Sequence, residues 1–181
     1  MGIVSGKKAL VLGIANERSL ACAIARQLAQ EGAALAVTYQ GEALEERVRK
    51  LAPELQARVV LPCDVTSDAE IERTVQTAGS ELGGLDILVH AIAYAGRDAL
   101  SGAYSAVTRQ DFLQAMDISV YSFTALARAA APLMLRLSAA FSLTCPSTVL
   151  KSRTPLAESV FTGPAEMALT RIRCGPRSTA R

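Results

Sequence analysis

The 181-residue chain has no tryptophan and a single histidine, His90. Its four cysteines, Cys22, Cys63, Cys145 and Cys174, lie far apart. No pair has metal-ligand spacing, and one histidine cannot complete a set, so no metal site is expected. No apolar run is long enough to cross a bilayer, so no membrane partner is expected. The opening Met1-Gly2-Ile3-Val4-Ser5-Gly6-Lys7 lacks the hydrophobic core of a secretion signal. Unpaired thiols in a chain without a signal point to a reducing cytoplasm. Aromatics make up only 4%, and none interleaves with basic residues, so a base-stacking platform for nucleic acid is not expected.

What is present is apolar and unevenly charged. Hydrophobic residues form 50% and charged residues 20% of the chain, in keeping with one globular domain with a sizeable core. The net charge of +2 hides a division. Residues 1–134 hold 12 basic and 15 acidic residues, whereas residues 135–181 hold 7 basic and 2 acidic. The basic tail reads either as a segment that binds a polyanion or as a stretch of different origin from the rest. Its lack of like-charge blocks favours the second reading.

Short apolar runs alternate with helical periodicities over the first 134 residues. Ala9–Leu12 reads as a buried strand, and Ala34–Tyr39, Arg58–Leu61 and Leu85–Val89 read as three further strands. Ser19–Gln30, Glu42–Leu55 and Asp68–Leu82 read as helices between them, closed by Gly32, Pro53 and Gly83-Gly84. Thr108–Met134 reads as one long helix with Thr108 as N-cap and Asp111 in its first turn. This alternation predicts an α/β, doubly wound parallel sheet of Rossmann type, incomplete on its C-terminal side. Ligands of such sheets lie beyond the carboxyl ends of the strands.

The residues after each strand are therefore the candidates. Gly13 permits a tight turn that brings backbone to a pyrophosphate, and Ser19-Leu20-Ala21 opens a helix whose free N–H groups suit an anion. The three-glycine fingerprint is missing, so an ordinary capped strand-to-helix loop stays open as the other reading. Gln40 stands where an acid would hold a ribose or an arginine a 2′-phosphate; the absence of positive charge leans towards NADH. Asp64 and Val65 read as an adenine contact or as the start of the next helix. His90-Ala91-Ile92-Ala93-Tyr94-Ala95 is small and apolar enough for a nicotinamide ribose, or for plain packing. His90 itself reads as a structural hydrogen-bonding residue rather than a catalyst.

Taken together, Gly13-x5-Ser19-x-Ala21, Thr38-Tyr39-Gln40-Gly41-Glu42, Leu61-Pro62-Cys63-Asp64-Val65 and Leu88-Val89-His90-Ala91-Ile92-Ala93 resemble the NADH-dependent enoyl-acyl carrier protein reductases, within the short-chain dehydrogenase/reductase superfamily. The segment Phe112–Phe123 is similar to that family as well, and coverage runs from about Gly6 to Met134. The resemblance implies that Gly13, Ser19 and Leu20 meet the cofactor phosphates, Gln40 the adenosine end, Asp64 and Val65 the adenine, and Ile92 the nicotinamide side. It implies that Ala95 touches an acyl substrate, that the cofactor is NADH, that the partner is enoyl-acyl carrier protein, and that the assembly is a homo-oligomer. The family reduces the 2,3 double bond of its substrate in fatty acid biosynthesis. A ketoacyl-type reductase is the nearest alternative, but those enzymes carry an Asn-Ala-Gly string where this chain has His90-Ala91-Ile92. A non-catalytic binding module with a basic tail is another.

One departure matters. The family uses a tyrosine and a lysine spaced Tyr-x6-Lys, and here the residues seven beyond Tyr39, Tyr94, Tyr104 and Tyr121 are Glu46, Ser101, Asp111 and Arg128. No catalytic residue is therefore assigned. Resemblance and strand–helix alternation both stop near residue 135, which suggests a change of reading frame there. A division at 134 follows: a dinucleotide-binding domain over 1–134, and a tail over 135–181 outside the family pattern.

Overall fold

The computed structural model describes residues 2–134. The tail, Cys145, Cys174 and the suggested frame change lie outside the described residues. Within them the sheet has strands β1 (Lys8–Leu12), β2 (Ala34–Tyr39), β3 (Ala57–Pro62) and β4 (Ile87–His90). All pairings are parallel, in the order β3-β2-β1-β4. The helices are α1 (Leu20–Gln30), α2 (Glu42–Leu51), α3 (Asp68–Leu82), α4 (Arg109–Met116) and α5 (Ser122–Met134). This is the doubly wound Rossmann-type α/β arrangement that the alternation predicts.

The strand sequences explain why both faces are covered. Successive strand side chains point to opposite faces. In β1, Ala9 and Val11 join Leu35, Val37, Ala21 and Ala25 in a core beneath α1 and α2. Leu10 and Leu12 turn the other way and pack with Ile71, Val75, Leu126 and Ala130 of α3 and α5. A strand buried on both sides must be apolar throughout, which is why β1 and β2 read as runs rather than alternations; β3, at the edge, is only partly buried and exposes Arg58. Gly79 of α3 lets α5 come close: a Cβ there would meet Leu133 Cδ1 at 2.6 Å.

Most element ends lie within one residue of expectation, and three features differ by more. Helix α2 stops at Leu51 rather than Leu55, because Pro53 has no N–H to continue the helical bonding; Ala52 keeps helical backbone, and the chain then turns through Gln56 at a φ of 51°. Strand β4 begins at Ile87 rather than Leu85, since the Asp86 carboxylate accepts from the Lys8 N–H (2.9 Å) and lies 3.5 Å from Lys7 Nζ, tying that residue to the start of β1. The single helix expected over 108–134 is divided by a π turn at Asp117–Tyr121. Before it, Thr108 and Asp111 form the expected reciprocal cap on α4.

Strand order carries the functional consequence. The chain moves outward from β1 to β2 to β3, then returns across the sheet to β4 on the far side of β1. Connections after β1 and after β4 thus diverge, and a crevice opens between them at the carboxyl ends.

Candidate functional site

The floor of this crevice is set by one glycine. Gly13 follows β1 with a φ of +102°, and a Cβ there would stand 2.2 Å from the Ala91 carbonyl oxygen. No side chain is tolerated in that backbone conformation and space. The turn after β1 therefore lies directly against the segment after β4, and the Ala91 N–H donates to the Leu12 carbonyl at 3.1 Å.

The chain then climbs to α1. The Asn16 side-chain oxygen accepts from the Arg18 N–H at 2.8 Å, and the Ser19 hydroxyl donates to the Asn16 carbonyl at 2.7 Å. Ser19 occupies the N-cap position but makes no capping bond with its side chain. The first N–H groups of α1 are left to other partners, and no acid in the first turn competes for them.

The far wall comes from β2 and β3. Thr38 and Tyr39 are buried, and Gln40 emerges at the surface. Asp64 Oδ1 accepts from the Thr66 N–H at 2.9 Å and the Thr66 hydroxyl at 2.7 Å. Those two bonds, with a further one from the Gln40 side chain, hold the Asp64 carboxyl below its ordinary value despite partial burial. It is a charged acceptor at neutral pH, and it also serves as the turn residue before α3, where Glu70 Oε2 accepts from its N–H at 2.8 Å. Both readings of Asp64 are thus compatible with one geometry.

Gly13, Gln40, Val65 and Ile92 all line the same crevice. Asp64 joins them through its bond from Gln40. Ser19, Leu20 and Ala95 are not among the lining residues; Leu20 is 60% exposed, and Ala95 is half-buried farther along the loop. Lining residues to which the sequence reading gave no role include Ile14 and Tyr39, which lie in the stretches after the strands that it singled out, and Thr38, Leu44 and Cys63, which do not. Cys63 directly precedes Asp64, so its place after β3 was an available signal. Burial pushes its thiol above the ordinary range, partly offset by a bond from Thr74, and it presents a neutral group to the crevice. Leu44 reaches in from α2, for which the sequence offers no comparable signal.

None of the lining residues carries a charge. An anionic ligand would have to be held by backbone N–H groups rather than by ion pairs. The volume is about 160 Å³, below the roughly 300–1,000 Å³ of pockets that enclose a drug-sized molecule. An extended ligand would lie across an open face, with part of its surface in solvent. The cations Arg18, Arg47 and Lys50 line a separate opening, where Lys50 Nζ pairs with Glu46 at 2.6 Å.

His90 ends β4 and is buried, with Nε2 2.8 Å from the Ser122 hydroxyl and its ring edge-on to Phe123 at 5.6 Å. Burial lowers its pKa, so the ring is neutral. The Ser122 hydroxyl proton is already given to the Ile118 carbonyl at 2.7 Å. Its oxygen can then only accept, which fixes the proton on His90 Nε2. His90 is a strand-to-helix tie and does not line the crevice. Among the described residues no group of His, Cys, Asp and Glu is placed to hold a metal, and no helix is long and apolar enough to cross a membrane.

The geometry has counterparts among known proteins. Residues 13–155 match the model of the enoyl-(acyl carrier protein) reductase family. The chain is 47% identical over 135 residues to an enoyl-acyl-carrier-protein reductase (NADH) of Neisseria meningitidis, covering 74% of this chain and 52% of that protein. It is 44% identical over 133 residues to a second such reductase, from Rhizobium meliloti, covering 74% and 50%. Among solved structures it is similar to the Aquifex aeolicus enzyme of that name, with a TM-score of 0.71 and 45% identity over 74% of this chain and 52% of that one. It is also similar to the Anaplasma phagocytophilum reductase solved in complex with NAD, with a TM-score of 0.70 and 38% identity over the same shares. The chain spans about half the length of the relatives it matches.

Proposed function

Because the chain belongs to the enoyl-(acyl carrier protein) reductase family, we propose that its described part is the NADH cradle of such an enzyme, acting in fatty acid biosynthesis on enoyl-acyl carrier protein. The observation that carries this reading is the crevice shared by Gly13, Gln40, Val65 and Ile92 at the strand ends. The residues fit the cofactor: a glycine turn with no room for a Cβ, and a helix start with no side-chain cap, offer backbone N–H groups to a pyrophosphate.

In this reading Gly13, Ser19 and Leu20 lie along the phosphates through their backbone. Gln40 and Asp64 take the adenosine end, and Val65 packs on the adenine. Ile92 borders the nicotinamide, and Ala95, farther along the same loop, contacts the acyl chain. NADH would supply the hydride; this chain's part is to orient it over the apolar Ala91-Ile92-Ala93 strip. The uncharged lining favours NADH over a cofactor with an added 2′-phosphate.

The 181 residues contain no Tyr-x6-Lys pair. The donor that would stabilise a developing oxyanion is therefore missing from this chain, and with it the largest electrostatic contribution to catalysis. We infer that the chain binds NADH weakly and does not turn over an enoyl thioester. Calorimetric titration should give a dissociation constant in the range of about 0.1–1 mM, equivalent to only about 4–5.5 kcal/mol. Micromolar binding would contradict the weak affinity, and measurable NADH oxidation with an enoyl thioester would contradict the absence of turnover. No binding even at several millimolar would contradict the cradle reading itself.

A further inference from the structure

The π turn at Asp117–Tyr121 and the residue after it touch three other elements. The Ser119 hydroxyl accepts from the Tyr94 N–H at 3.0 Å and donates to the Tyr94 carbonyl, 3.3 Å away. The Tyr121 hydroxyl donates to Asp68 Oδ2, at the start of α3, at 2.9 Å. Ser122 accepts from His90 at the end of β4. A π turn fits one extra residue into a helix and shifts the angular positions of those that follow. Here it falls where the long helix passes the carboxyl ends of the strands.

Two of these bonds bracket a particular stretch. Ser122 fixes His90 and Ser119 fixes Tyr94, and the residues between them are Ala91, Ile92 and Ala93, all three of which line the crevice. The near side of the stretch is also held, by Ala91 against Gly13 and Leu12. Tyr94 belongs to no strand, and its N–H and carbonyl find in one serine hydroxyl both a donor and an acceptor. Without Ser119 the far end of the stretch would have no such anchor.

We propose that Ser119 and Ser122 are positioning residues, a two-point clasp that sets the Ala91-Ile92-Ala93 backbone against the nicotinamide end of the bound dinucleotide. The proposal rests on the NADH reading above. It assigns the clasp no contact with the cofactor and no part in holding the adenosine end, which is built from Gln40, Asp64 and Val65.

That division gives the test. NADH and ADP share the adenosine and its two phosphates, but only NADH carries the second ribose and the nicotinamide that reach the clasped stretch. Both are titrated against the full chain and against Ser119→Ala and Ser119→Thr. Ser119→Ala should weaken NADH about fivefold, the equivalent of one lost net hydrogen bond, and leave ADP within about twofold. Ser119→Thr, which keeps the hydroxyl, should restore NADH. Amide hydrogen exchange of the ligand-free protein should show the Tyr94 N–H losing protection in Ser119→Ala and regaining it in Ser119→Thr. Equal weakening of both ligands, or no rescue by threonine, overturns the proposal. So does unchanged Tyr94 exchange, because the anchor itself would then be absent. If the unsubstituted chain binds neither ligand, the dinucleotide reading fails and the positioning role falls with it. The exchange data would still report whether Ser119 anchors the loop.

Discussion

Helices α4 and α5 are consecutive, yet they stand in opposite circumstances. Helix α5 packs against α3 and the sheet, burying Ala125, Leu126, Ala130 and Met134. Helix α4 buries nothing. Phe112 is 52% and Leu113 58% exposed, and Met116 and, in the π turn, Val120 are exposed as well. Half of α4 is polar or charged and most of α5 is apolar, yet read as sequence the two run together as one amphipathic element. The difference arises because the sheet and α3 over-determine α5. Among the described residues α4 is held by the cap at Thr108 and by the π turn. Apolar sequence shows that a face wants cover; it does not say whether the described chain provides it.

The sharpest way to break this contrast is to remove one leucine from each side. Leu126 is fully buried between α3 and the sheet. Leu126→Ala should cost about 2–5 kcal/mol, the lost burial plus the cavity left behind. Urea unfolding followed by far-ultraviolet circular dichroism would measure it. A loss below about 1 kcal/mol would mean that α5 is not part of the core, since even a modest Leu→Ala cavity costs more than that.

Next comes the junction of β1 and β4, also in the over-determined region. Gly13→Ala places a Cβ against the Ala91 carbonyl, in a backbone conformation that side chains avoid. The expected loss is about 2–4 kcal/mol, combining backbone strain and overpacking. NADH binding should disappear, because the turn must move away from the crevice. A variant with undiminished stability and affinity would show that the Gly13–Ala91 contact is not what shapes the site.

A pH scan probes the tie between β4 and α5. Burial holds the His90 pKa below its ordinary value of 6.5, so the folded protein keeps the ring neutral where the unfolded chain begins to protonate. Above that value both states are neutral and the group adds no pH dependence. As pH falls below it the unfolded state gains a proton that the folded state refuses, and stability is lost. The slope for one such group approaches about 1.4 kcal/mol per pH unit. His90→Gln should flatten the stability curve between about pH 6.5 and 5. The Asp64 carboxyl, also depressed, contributes only at more acidic pH, around and below its ordinary 3.8.

Much of this was legible in the residues, for a physical reason. Strands covered on both faces must be apolar, so β1 and β2 announce themselves as runs. A parallel sheet places whatever follows each strand at one edge, so Gly13, Gln40, Val65 and Ile92 converge on one crevice without any contact being known in advance. Leu44 was illegible because it reaches the crevice through the packing of α2. The π turn was illegible because Asp117-Ile118-Ser119-Val120-Tyr121 keeps the polar and apolar spacing of an ordinary helix; the extra residue appears only in the backbone. At Ser19 the sequence left two readings open, and the capped loop is the one the geometry does not bear out. Ser19 stands at the N-cap position, but its hydroxyl serves the Asn16 carbonyl, which no propensity distinguishes from capping.

The smallest expected effect completes the comparison. Leu113 on α4 has the same side chain as Leu126, yet in the described residues it leaves 58% of its surface in water. Replacing it with alanine removes little buried area and opens no cavity, and alanine favours helix at least as well as leucine. Stability of the monomeric chain at low concentration should therefore stay within about 0.5 kcal/mol of the original. The same urea titration that reads Leu126→Ala reads this one, so errors of method cancel between them. If Leu113→Ala were to cost as much as Leu126→Ala, something would have to cover α4 in solution, and the contrast between the two helices would belong to the isolated fold alone.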